Sequence, residues 1–203
     1  ELAARGGVMA EGGACYRCNM VTLGGDESLP FAEKTMVSHS AGSIEGEESD
    51  ELIEWLFGHE EFKPMAEAAG MSVRPGSSFR HLAVQKNGDI AGIVLAPPHD
   101  HLGEQIGGIL PAGLEHHSIN EKRRAEGHLP ANGIWFWAEG KGARLPNFTE
   151  HYGATGGVVS AVPLCHGIAV LVGLEPISVP TATGEWDTDY EAKTQAALDL
   201  LET

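Results

Sequence analysis

The chain has 203 residues, 42% of them hydrophobic, with 29 acidic against 13 basic side chains and a formal net charge of −16. That much apolar material buries the core of one good-sized domain or two small ones, which sets disorder aside. A surface this acidic repels nucleic acid and anionic lipid, and admits an anionic small substrate only where the few arginines converge.

In chain order, RCNMVTL (17–23) predicts a strand, with KTMVSH (34–39) as its partner across a polar loop. GSIEGEESDELIEWLFG (42–58) predicts a helix with an acidic first turn, an apolar stripe of Leu52, Ile53, Leu56 and Phe57, and Gly58 to end it. FRHLAVQK and IAGIVLA, joined through Asn87-Gly88, predict a hairpin whose tight turn needs positive φ angles. Residues 115–127 predict a polar helix. GIWFWAEG (133–140) is the next strand and NFTEHYG a short helix. Then come a buried strand in GGVVSAV, a helix opened by Pro163, and a strand in LEPISVP. A last helix over DTDYEAKTQAALDLLET carries Tyr190, Ala197, Leu198 and Leu201 on its apolar face. Strand alternating with helix predicts a largely parallel α/β sheet from about 133 onward, after an α+β first part.

Three cysteines are too few for a disulfide framework, and their odd number favours reduced thiols. Cys15 and Cys18 form a CxxC. There is no second pair to complete a zinc site, and no helix start to activate a thiol. In a strand the two point to opposite faces, so packing is the favoured reading. No stretch reaches the roughly 20 apolar residues of a membrane helix. The longest, Val158 to Leu174, is interrupted by Ser160, Pro163, His166 and two glycines. The opening ELAARGGVMAEGG puts charges and glycines where a signal peptide has its apolar core. Starting on Glu1 rather than methionine, the sequence reads as a piece of a longer, soluble, cytoplasmic protein.

No nucleophile elbow, phosphate-binding P-loop or dinucleotide fingerprint is legible. Two histidine clusters stand out, His99-Asp100-His101 and Glu115-His116-His117, each compatible with an ion or phosphate and equally with an ordinary surface. The arginines are more telling. Arg17 sits inside an apolar strand and Arg80 opens FRHL, while Arg123 and Arg124 lie on the polar helix with Asn120 and Lys122. A guanidinium fork suits phosphate and carboxylate, and one on a core-like strand costs burial energy unless paired. An ion pair with one of the 29 acids is the competing explanation.

The local motifs, in order, go further. ACYRCNMVTL, SAGSIEGEESDELI, FRHLAV, PPHD, NEKRRAEGHLPANGIWFWAEGKGARLPNF and VVSAVPLCHGIAVLVGLEPISVPTATGEWDTDYEAKTQAALDLL together resemble the archaeal-type, 2,3-bisphosphoglycerate-independent phosphoglycerate mutases of the alkaline phosphatase superfamily. The match covers nearly the whole chain, and PANGIWFWAEGKGARLPNF and TATGEWDTDYEAKTQAAL are its most specific parts. The resemblance implies an isomerase that interconverts 3- and 2-phosphoglycerate through a phosphoserine. It implies a phosphatase-like α/β domain (1–15 leaving it, 133–203 returning) and an inserted substrate-clamping domain over 16–132. Two divalent ions (manganese, magnesium or zinc) are implied as cofactors, with ligands and nucleophilic serine outside this chain. This chain alone is therefore expected neither to bind the metal pair nor to turn over substrate. By motif match Arg17, Asn19, Arg80, His81, His99 and Asp100 are clamp candidates, joined by Asn120 and Arg123. His166 stands where the family carries a lysine, Ser43 where it carries a histidine, and the stretch around Gly113-Leu114 is short. These departures leave room for a related phosphoryl-transfer enzyme acting on another small phosphorylated metabolite, or for a non-catalytic phosphometabolite-binding module.

Overall fold

The computed structural model describes residues 2–25, 29, 33–76, 78–104, 112–184 and 186–202. The chain is a mixed α/β protein that divides into two compact units, one formed by Ala10–Lys141 and the other by Glu1–Met9 with Gly142–Thr203.

A single long strand organises the first unit. β1 (Ala14–Gly24) has antiparallel neighbours on both edges, β4 (Arg80–Gln85) and β5 (Gly133–Lys141). Its last residues pair with β2 (Thr35–Ser38), as Leu23 with Met36, and β3 (Met71–Arg74) extends the sheet beyond β4. Side chains alternate along a strand, so Ala14, Tyr16, Cys18 and Met20 all enter the same core, with Ala83 of β4 and Ile134 of β5. Leu52, Ile53 and Leu56 of α1 (Gly46–Gly58) close over them, completely buried. Each such aliphatic contributes about 1.5–3 kcal/mol relative to exposure. α2 (Lys63–Ala68) and α3 (Ser118–Ala125) add Ala66 and Ile119 to the same cluster.

Three expectations change here. The helix predicted from residue 42 begins at Gly46: Ala41, Gly42 and Ser43 have positive φ, and Glu45 just before the helix is extended. The hairpin predicted around Asn87-Gly88 does not form: residues 90–96 are not a strand, and β4 pairs with β1 and β3 instead. Gly88 is needed there for close approach rather than for positive φ, since a Cβ on it would collide with the side chain of Ala14. GIWFWAEG also does not start a parallel sheet. As β5 it pairs antiparallel with β1, Ile134 opposite Met20 and Trp137 opposite Arg17, which moves the expected boundary at 133 to between Lys141 and Gly142.

In the second unit β6 (Gly157–Val159) and β7 (Glu175–Ile177) run parallel, joined by α5 (Pro163–Val172). Pro163 opens that helix and Gly173, at φ 77°, ends it in the left-handed conformation glycine tolerates. α4 (Phe148–Tyr152) precedes this crossover. α6 (Tyr190–Leu201) follows it, capped by the Asp189 carboxylate accepting from the Ala192 N–H. Among the described residues no helix is long and apolar enough to cross a membrane.

Candidate functional site

The alternation that sends Tyr16, Cys18 and Met20 into the core puts Arg17 and Asn19 on the opposite face of β1. Cross-strand partners share a face, so Arg80, opposite Asn19, and Trp137, opposite Arg17, lie there too. The Arg17 guanidinium stacks on Trp137, 4.8 Å from the ring centroid. The Trp137 indole N–H donates to Asn19 Oδ1 at 3.0 Å, and Asn19 Nδ2 donates to the His39 carbonyl at 3.1 Å. The His39 ring meets His99 edge-on at 5.9 Å, and His99 meets Trp137 at 6.3 Å, which closes a circuit of four residues. Arg80 lies 4.0 Å over Phe79, whose ring also meets His39.

The result is two guanidiniums lying over aromatic rings beside two imidazoles. Cation–π contact restrains a guanidinium, whose fork suits an oxyanion. Arg80 is exposed and makes no ion pair among the described residues, although the chain carries 29 acids. That argues against a structural ion pair as its purpose.

The other sequence candidates are placed differently. Asp100 is beside the face: its carboxylate is 3.6 Å from His99 Nε2, and both are exposed. His81 shares the opposite, core face with Cys18 and is 1% exposed. Its Nδ1 accepts from the Gly76 N–H at 3.1 Å, which leaves the proton on Nε2, 3.0 Å from the Ser49 hydroxyl. It ties β4 to α1 and does not reach the clamp. Asn120 is fully buried, its amide spent on the backbone of Leu114 and Ala131. Arg123 is buried with its donors on Leu129 O, Glu48 and Ala41 O. His166 belongs to α5, in the other unit. His39, Phe79 and Trp137 were missed. The available signal was Trp135 and Trp137 two apart in one strand, which puts two large rings on the same face as Asn19 and Arg17.

CYRCN resolves as packing around a polar pair. Cys15 is half-buried and Cys18 fully buried on opposite faces of β1, and neither is in a disulfide. Burial pushes the Cys18 thiol far above its ordinary value, so almost none is thiolate near neutrality. Iodoacetamide at pH 8 is expected to leave Cys18 unmodified in the native protein and to label it in urea, as read by peptide mass spectrometry.

One electrostatic element supports the site from behind. Lys122 donates to Glu48 at 2.8 Å and Arg123 at 3.1 Å, which together hold the Glu48 carboxyl below the usual range against the opposing effect of burial. A lowered folded value means that the ionised form is favoured by folding. The contribution is therefore present above the ordinary value of about 4.3 and lost as pH falls through the folded one. Glu48→Gln is expected to lower the urea midpoint at pH 7, and the difference from wild type to shrink as the pH falls below the ordinary carboxylate range.

Residues 1–127 match the family model described as 2,3-bisphosphoglycerate-independent phosphoglycerate mutase. A protein of that name from Methanosarcina barkeri is 37% identical over 222 residues, covering all of this chain and 52% of the relative. One from Geobacter sulfurreducens, named as a probable enzyme of this kind, is 37% identical over 221 residues, again covering 52% of its length. A solved structure from Pyrococcus horikoshii superposes with a TM-score of 0.62 at 23% identity, covering 99% of this chain and 47% of that one, and so shares the fold. The chain spans about half the length of the curated relatives it matches. It belongs to the 2,3-bisphosphoglycerate-independent phosphoglycerate mutase family.

Proposed function

We propose that this chain supplies the substrate-holding part of a phosphoglycerate mutase acting in the cytoplasm, with 3- and 2-phosphoglycerate bound against the exposed face of β1, β4 and β5. The observation that carries this reading is the convergence of Arg17, Asn19 and Arg80 with His39, His99 and Trp137 on one sheet face. Phosphoryl transfer asks the protein for positioning and charge neutralisation more than for covalent chemistry. The guanidiniums hold the carboxylate and phosphate oxygens, the imidazoles donate to them when protonated, and Trp137 shields one side from water.

The phosphoserine route and a pair of divalent cations belong, in this proposal, to the part of the relatives that the chain does not span. Among the described residues no three His, Cys, Asp or Glu side chains converge as a metal site. In this reading their role is to bind and orient the glycerate.

Calorimetric titration of the protein with 3-phosphoglycerate and with glycerate tests the reading. The phosphorylated compound is expected to bind the more tightly. Arg80→Ala is expected to weaken it by more than about tenfold, the worth of one charged hydrogen bond. Equal affinity for the two compounds, or an Arg80→Ala protein indistinguishable from wild type, would overturn it.

A further inference from the structure

Between β2 and α1 the backbone does something expensive. Ala41, Gly42 and Ser43 are three successive residues in the left-handed region, at φ 50°, 65° and 57°, and two of them carry a Cβ that disfavours it. The conformation is imposed from several sides. Ser38 Oγ accepts from the N–H of Gly42 at 3.0 Å and of Ser40 at 3.3 Å, and Ser40 Oγ accepts from the Ser43 N–H at 3.1 Å. Ala41 is completely buried, and its carbonyl receives Arg123 Nη2 at 3.0 Å. The rest of the Arg123 fork is anchored on Leu129 O at 2.9 Å and Glu48 at 3.1 Å, so it is a fixed post rather than a mobile arm. One end of this loop is His39, whose carbonyl holds Asn19 and whose ring faces His99 and Phe79.

We infer that Arg123 is a positioning residue: by pinning the Ala41 carbonyl it keeps loop 41–43 left-handed and thereby sets His39 and Asn19 for the anion. Its functional half rests on the substrate-binding reading above. Lysine at 123 keeps the charge but gathers its donors on one nitrogen, so it cannot span the three separate acceptors that Nε, Nη1 and Nη2 reach. A glycine at exposed position 43 adopts positive φ without the steric penalty, so it lessens the loop's need for the post.

The test reads the ligand-free protein first. In Arg123→Lys the Asn19 side-chain amide and His39 ring resonances are expected to move in NMR spectra. Affinity for 3-phosphoglycerate is expected to fall by about fivefold, the equivalent of one ordinary hydrogen bond. Adding Ser43→Gly to Arg123→Lys is expected to recover at least half of that loss. Leu56→Ala, a core truncation in the last turn of α1, supplies a destabilised control with the resonances and affinity of its folded fraction unchanged. Unmoved Asn19 and His39 resonances in Arg123→Lys would overturn the inference, as would a loss of affinity no greater than the unfolded fraction explains. If Arg80→Ala also leaves affinity unchanged, it is the substrate-binding reading that fails, while the resonances still decide what Arg123 does to the loop.

Discussion

Arg17→Ala is expected to weaken 3-phosphoglycerate binding by more than about tenfold. A hydrogen bond from a charged donor contributes about 1.5–3 kcal/mol, which sets the scale of the affinity loss. Against this, the stacking of Arg17 on Trp137 at 4.8 Å is worth about 0.5–1 kcal/mol at a half-exposed site. A loss of affinity larger than the loss of stability is the signature of a residue held for a ligand rather than for the fold. Arg17→Lys is expected to fall between, since it keeps the charge and loses the planar fork. Titration calorimetry and thermal unfolding on the same samples check both halves. An Arg17→Ala protein that unfolds early but binds normally would make Arg17 structural.

The largest effect on stability is expected at Asn120. Its amide donates to Leu114 O at 2.8 Å and Ala131 O at 3.0 Å, and its Oδ1 accepts from the Ala131 N–H at 2.7 Å. It thereby ties the chain entering α3 to the chain leaving it, with no exposure of the residue. Alanine leaves two carbonyls and one N–H without this partner in a closed interior, at about 1–3 kcal/mol each before relaxation. A total near 3–5 kcal/mol is expected, or roughly 8–15 °C in Tm for a chain of this size. Urea denaturation measures it. A shift under about 1 kcal/mol would mean that water replaces the amide and that the site is less closed than its burial indicates.

Much of the fold was legible because local signals agree with what packing demands. The stripe Leu52, Ile53, Leu56 in α1, Pro163 and Gly173 around α5, and the Asp189 cap of α6 each act within a turn or two of their own position. The failures come where distant partners decide. Asn87-Gly88 looks like a hairpin turn, yet β4 finds better neighbours in β1, some 65 residues earlier, and in β3. β5 has the apolar content of a buried parallel strand, but its partner is the far edge of β1.

The site follows the same logic. Arg17, Asn19 and Arg80 were identifiable as costly polar residues on apolar strands. Which of their neighbours would join them depended on register. Trp137 comes from a strand 118 residues beyond Asn19, and His39 contributes a carbonyl as well as its ring. Conversely, His81 is adjacent to Arg80 in sequence and on the other side of the sheet, because a single-residue step reverses the face. Asn120 and Arg123 carry the right chemistry for a clamp, but their donors are consumed by backbone carbonyls and Glu48, a fact visible only in three dimensions.

The Trp137 indole N–H, bonded to Asn19 Oδ1 and lying under Arg17, reports on the claimed site directly. In a spectrum of the protein with labelled tryptophan, its resonance should move progressively to saturation as 3-phosphoglycerate is added. The indole of Trp186, in the other unit and 89% exposed, should stay in place. Saturable binding that leaves the Trp137 resonance unmoved would contradict the assignment of this sheet face as the substrate site.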